Sequence, residues 1–223
     1  MKFHVDKNNT LIFLFILLIC IFLAFSHSLY QVAVDGGLVL SEIIKYPEPL
    51  SPMKYYYLNS WTILHQISDF FLSLGFSTLN VSRIILFLCI FCFASSSFII
   101  VNKITSNKYL ALLFTFVMLI LEKNFGDTDY PSLVFSNHTY GMFSLAISSL
   151  IIALVLNKNY KIAGFLSVFL ICIHPIIGIW IFLILALSTI ISNDNKIRVN
   201  LIKGSILGSI VTALSLTIFL INH

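Results

Sequence analysis

Residues 11–30 run for twenty positions without one Asp, Glu, Lys or Arg. A helix of about 20 apolar residues is what a hydrocarbon core of about 30 Å requires, and few other environments accept such a stretch. The pattern recurs. Residues 81–101 form a second apolar block, 109–121 a short third, 142–156 a fourth, 162–192 a long fifth and 205–221 the last. The apolar residues come as blocks, not as stripes of helical or strand period. Of the 223 residues, 59% are hydrophobic and 10% charged, and the mean hydropathy is +1.00. An ordinary soluble domain is about 25% charged. A soluble globular domain and a disordered chain are therefore excluded, and the scattered net charge of +4 gives no face for nucleic acid. The expected fold is all-α: a polytopic transmembrane helix bundle with six or seven membrane segments, forming one integral membrane domain over 1–223.

The first block follows Lys2 and Lys7 and so has the outline of a signal peptide. The small residues after it make a poor cleavage site, and further spans follow, which favours a retained helix. Cys20, Cys89, Cys92 and Cys172 all lie in apolar runs, where cysteine behaves as a small hydrophobe.

Loop charge orients the chain, because cytoplasmic loops are rich in Lys and Arg. With the N-terminus inside, the inner segments are 1–10, 102–108, 157–161 and 193–204, and they hold nine of the 13 basic residues. Seven of the nine acids then fall outside: Asp35, Glu42, Glu48, Asp69, Glu122, Asp127 and Asp129. This sorting requires 157–161 and 193–204 to share a side, so the 31 residues of 162–192 must cross and return. Pro175 removes a backbone donor and clashes with the preceding turn. A helical hairpin with His174-Pro175 at its outer tip is the expectation.

Two outer loops, 31–80 and 122–141, hold the polar residues. In the first, Asp35-Gly36-Gly37 reads as a turn at the mouth of the first helix. Residues 38–44 read as a short interfacial helix, and Pro47, Pro49 and Pro52 as an extended stretch. Tyr55, Tyr56, Tyr57 and Trp61 form an aromatic cluster for the membrane interface. Residues 60–74 read as an amphipathic interfacial helix, with Trp61, His65 and Asp69 on a wet face at i, i+4 and i+8. The second loop concentrates Asp127, Asp129, Asn137 and His138.

Asp35 is the carboxylate nearest the outer end of the first helix and is either a solvated loop acid or an acid held back over the helix bundle by the Gly-Gly turn. Asp127-x-Asp129 offers hard oxygen donors to a divalent cation such as Mg or Mn, or simply solvates its loop. Arg83 either holds a phosphate or serves as a snorkelling interfacial anchor, and His138 is a metal ligand, a phosphate-contacting donor or an interfacial histidine. His174 sits in apolar sequence, where an ionisable group is costly and reads as functional by default; the alternative is a helix-breaking His-Pro that merely caps the turn. Tyr56 belongs to a run that serves as an interfacial belt or a sugar platform.

The order of elements resembles the N-terminal part of the C-type membrane glycosyltransferase superfamily. The stretches that carry the likeness are Asp35-Gly36-Gly37-Leu38 through Pro49, then Asp127-Thr128-Asp129-Tyr130-Pro131 with Asn137-His138-Thr139-Tyr140-Gly141, and His174-Pro175-x-x-Gly178-x-Trp180. The likeness spans roughly residues 11–192 and lies in layout more than in diagnostic residues. It implies transfer of a sugar from a polyprenyl-phosphate carrier at the outer face of a bacterial inner membrane. Asp35 would be the catalytic base, with Asp127 and Asp129 on metal or donor phosphate. Arg83, His138, His174 and Tyr56 would contact substrate. Membrane lipid and lipid-linked sugar are the implied partners, without nucleic acid. Family members usually carry more spans and often a soluble C-terminal domain. This chain is therefore expected to be a minimal relative, one part of a split enzyme that needs a second membrane subunit, or a non-catalytic offshoot.

Two other classes compete. A transporter or flippase-like protein would use His174-Pro175-x-x-Gly178 as a broken-helix site, and a membrane scaffold would use none of these groups. No acid falls near the middle of a span, which favours a site at the membrane boundary over an ion-coupled pathway.

Overall fold

The computed structural model describes residues 7–26, 32–45, 51–120 and 140–221. Among these, every regular element is a helix. They run α1 (Lys7–Ser26), α2 (Val32–Leu40), α3 (Pro52–Asn59), α4 (Ile63–Ser73), α5 (Thr78–Thr105), α6 (Lys108–Ile120), α7 (Tyr140–Leu156), α8 (Tyr160–Ile173), α9 (Pro175–Ile191) and α10 (Asn195–Ile221). Two of them, α5 at 28 residues and α10 at 27, are long and apolar enough to cross a membrane. Five more apolar helices, α1 and α6 to α9, have shorter apolar stretches.

The apolar blocks become helices because nothing within them stops one, and the boundaries follow local chemistry. Ser77 caps α5, its side chain accepting from the Asn80 N–H, and Ser106 ends it in the left-handed region at φ 53°. The expected block at 81–101 is thus longer at both ends. The last helix begins at Asn195, ten residues before the expected 205. Lys196, Arg198 and Lys203 therefore ride on its first turns rather than in a loop.

The break at His174-Pro175 is present. His174 is extended (φ −146°, ψ 98°), and Pro175 opens α9 in its first turn, where a missing N–H costs nothing. A Cβ on Gly178 would collide with the backbone of Leu170 and Ile171, so α9 folds tightly back along α8. Helix α10 then returns beside α8. Gly204 meets Lys161, Gly208 meets Phe165, and the Thr212 hydroxyl donates to the Val168 carbonyl at 3.2 Å. Contacts that climb both helices together mean that α8 and α10 are parallel. The hairpin of α8 and α9 has the expected form.

Two apolar cores fill the bundle. One joins α2, α4, α5, α7 and α8 through residues such as Val34, Ile85, Ile147 and Leu170. The other joins α1, α5 and α6 through Ile16, Cys20, Ile90 and Leu119. All four cysteines are free thiols, three of them fully buried, as small hydrophobes would be.

The first loop departs most from expectation. Asp35-Gly36-Gly37 is not a turn but the middle of α2. The glycines let α4 lie against α2: a Cβ on Gly36 would strike the His65 ring, and one on Gly37 the Ser68 Cβ. Pro52 does not extend the chain but starts α3, with Ser51 as its cap. Pro47 and Pro49 lie outside the described residues.

Candidate functional site

Helix α2 carries Asp35 in its first turn, and the close approach allowed by Gly36 and Gly37 brings α4 beside it. Helix α3 closes over the pair. The Tyr57 hydroxyl donates to Asp35 Oδ2 at 3.1 Å. Asp35 is half-buried, and burial raises its pKa above the ordinary carboxylate value, while the Tyr57 bond pulls it back down. Behind Tyr57 stands His65, 2% exposed, with the two ring centroids 6.0 Å apart and edge to face. His65 Nε2 is hydrogen-bonded to the Tyr140 hydroxyl from the start of α7. Its Nδ1 has no hydrogen-bond partner of normal geometry among the described residues. Burial pushes this imidazole down to about 4, against a smaller upward pull from the Ser60 backbone. The ring is neutral at pH 7. Tyr140 in turn lies within electrostatic reach of Asp35, Tyr56 and Tyr57.

Tyr140 carries the cluster to the wall of one cavity, and Leu64 and Gln66, the neighbours of His65 on α4, line a second. The smaller, about 300 Å³, is walled by Tyr56, Trp61, Tyr140, His174 and Pro175. Tyr56 is half-exposed and packs edge to face on Tyr57 at 5.4 Å. His174 Nδ1 is buried there without a hydrogen-bond partner among the described residues. The larger cavity, about 950 Å³, is almost wholly apolar and runs between α4, α5, α7, α8 and α10. Its few polar groups include Gln66, Asp69 and Ser215. Burial raises the Asp69 carboxyl above its ordinary pKa.

A clasp joins α4 to α10 across this larger cavity. Trp61 Nε1 donates to Ser215 Oγ at 3.1 Å, Ser215 Oγ to Gln66 Oε1 at 2.8 Å, and Gln66 Nε2 to the Ser215 carbonyl at 2.8 Å. Thr62 adds a bond to the Ile173 carbonyl at 3.0 Å, tying α4 to the hairpin tip.

Of the residues singled out from sequence, Asp35, Tyr56 and His174 come to the same end of the bundle. Asp35 lines neither cavity, and Tyr57 is its link to the rest of the cluster. Arg83 lines neither cavity either. Its guanidinium lies 5.2 Å from the centroid of the Phe25 ring, a cation–π contact that suits an anchor. Asp127, Asp129 and His138 lie outside the described residues. Among the described residues, no three His, Cys, Asp or Glu side chains gather as metal ligands would.

The wet-face reading of His65 and Asp69 is overturned. The two diverge, His65 into the α2–α4–α7 junction and Asp69 toward the apolar cavity. His65, Tyr57 and Tyr140 are the members of the cluster that sequence reading did not assign. The Gly-Gly beside Asp35 was the available signal, because paired glycines in a helix mark close approach as readily as a turn.

No protein-family model, no curated protein sequence and no solved structure matches the chain. The class that fold and site define is thus an all-helical bundle with two long apolar helices and a polar cluster at one end.

Proposed function

We propose that the chain is a multi-pass protein of a bacterial inner membrane, with six or seven spans and a cytoplasmic N-terminus. On this reading it transfers a sugar from a polyprenyl-phosphate carrier to an acceptor hydroxyl at the outer face. Large apolar side chains stand exposed around the bundle, among them Phe22 at 70%, Ile190 at 71% and Ile191 at 77%, as suits contact with lipid. The observation that carries the transferase reading is a half-buried carboxylate, held by a tyrosine, on the helix pair that walls a long apolar cavity.

In the proposed reaction Asp35 takes the proton of the acceptor hydroxyl as that oxygen attacks the anomeric carbon. The bond from this carbon to the polyprenyl phosphate breaks, and the phosphate leaves with the electron pair. Partial burial makes Asp35 a stronger base than a solvated carboxylate, and Tyr57 holds it in place. Tyr56 and His174 line the pocket where sugar and phosphate would lie, and the polyprenyl tail occupies the 950 Å³ cavity. Arg83, whose guanidinium lies over the Phe25 ring, is assigned no step. No step is assigned to Asp127, Asp129, His138 or a metal ion.

The test is transfer of labelled hexose from a panel of polyprenyl-phosphate hexoses by the protein reconstituted in vesicles. Asp35→Asn is expected to abolish transfer while the protein inserts and melts as the wild type does. Wild-type rates in this variant would remove Asp35 as the base. A wild type that consumes no polyprenyl sugar would leave the membrane scaffold as the better reading.

A further inference from the structure

The end of the bundle away from Asp35 holds a cavity of another kind. Helix α5 descends from Ser77 to Ser106, the chain turns within two residues into α6, and α7 ends beside this turn. Between them lies a pocket of about 540 Å³, lined by Phe98, Asn102, Lys103, Ser106, Lys108 and Asn157, with Ile99 beside Phe98. Two lysines, two asparagines and a serine line it, and no acid does so among the described residues. The Lys103 ammonium and the Asn102 and Asn157 carboxamides make no hydrogen bond or ion pair with the described residues. The turn does not consume these donors because it is satisfied from elsewhere. Asn107 Oδ1 caps α6 by accepting from the Tyr109 and Leu110 N–H groups at 3.0 and 3.1 Å.

We infer that this pocket binds the phosphate of an anionic phospholipid. Basic pockets between helices on the cytoplasmic side of a membrane suit such headgroups. Lys103 and Lys108 supply the charge, the amides supply directional donors, and Phe98 with Ile99 gives the first carbons of an acyl chain an apolar wall. Orientation alone explains lysines at this end. It does not explain why two amides converge with them on a concave surface. The inference rests on the membrane reading but not on sugar transfer, and the two fail separately.

The experiment uses the whole protein in a neutral detergent and counts retained lipid by native mass spectrometry. Phosphatidylglycerol is expected to be retained at least about tenfold over phosphatidylcholine with the same acyl chains. Lys103→Gln with Lys108→Gln should cut that retention about tenfold, and Lys103→Arg with Lys108→Arg should preserve it. Equal retention of the two lipids, or unchanged retention in the glutamine variant, overturns the site. Inorganic phosphate that raises the melting temperature as much as phosphatidylglycerol does would make the occupant free phosphate rather than lipid. The arginine pair also serves as the folding control, and Asn157→Leu removes a donor without touching charge.

Discussion

Of the helix pairs that meet through glycine, α8 with α10 and α2 with α4 use the closeness differently. Along α8 and α10, Gly164, Gly204 and Gly208 bring backbone against backbone, and the small hydroxyls of Ser205 and Thr212 donate to carbonyls across the seam. Along α2 and α4, Gly36 makes room for an imidazole. The first contact is a fastening whose polar groups are all spent on the helices themselves. The second buries His65 and leaves its Nδ1 without a hydrogen-bond partner of normal geometry among the described residues. A bundle that needs only packing gains nothing from burying an imidazole that way, because a polar atom left poorly paired in a dry site costs about 1–3 kcal/mol. The same small-residue device thus gives stability in one place and a poised polar cluster in the other.

The sharpest way to break this contrast is to fill each glycine. Gly204→Val drives a side chain into the Lys161 carbonyl. It should cost about 3 kcal/mol or more, read as a collapse of the melting temperature in detergent. Gly36→Ala places its methyl group on the His65 ring instead, which can swing away from Tyr140. A smaller loss of about 1–3 kcal/mol is expected, with transfer activity falling further than stability does. Equal effects on both measures would make the α2–α4 contact a fastening too.

A finer probe is pH. Burial holds His65 neutral in the folded protein, so between pH about 6.5 and about 4 the unfolded chain binds a proton that the folded one refuses. That contribution destabilises as pH falls through the window and is absent above it. His65→Phe should flatten the wild-type slope there, as measured by melting temperature against pH. The smallest effect is expected from Tyr57→Phe. Losing the hydroxyl removes the bond that lowers the Asp35 pKa, so, if the chain carries out the transfer proposed above, the acid limb of its pH profile should move to higher pH with the fold intact. An unmoved limb would uncouple Tyr57 from the base.

Much of this architecture is legible in residues alone, for a reason visible in each case. The apolar blocks announce their helices because composition decides them. Pro175 announces the hairpin because a missing N–H is a local fact. The α2–α4 contact hides, because glycine in sequence does not say whether it bends a chain or admits a neighbour. His65 hides for a different reason. Its spacing to Asp69 mimics an amphipathic face, whereas its hydrogen-bond partner lies 75 residues away. No local pattern encodes that pairing. The lower pocket hides behind its own lysines, which orientation already accounts for.

The clasp between α4 and Ser215 bears on when the α10 wall of the large cavity forms. Trp61 and Gln66 wait for a partner 154 and 149 residues further along the chain. At about 5–20 residues per second, that is roughly 8–30 s of synthesis. During this interval the wall formed by α10 is missing and the large cavity lies open along one flank. On the membrane reading proposed above, an apolar ligand would enter along that flank before α10 arrives and would need no later opening of the bundle, so the order of synthesis would decide what the cavity first holds.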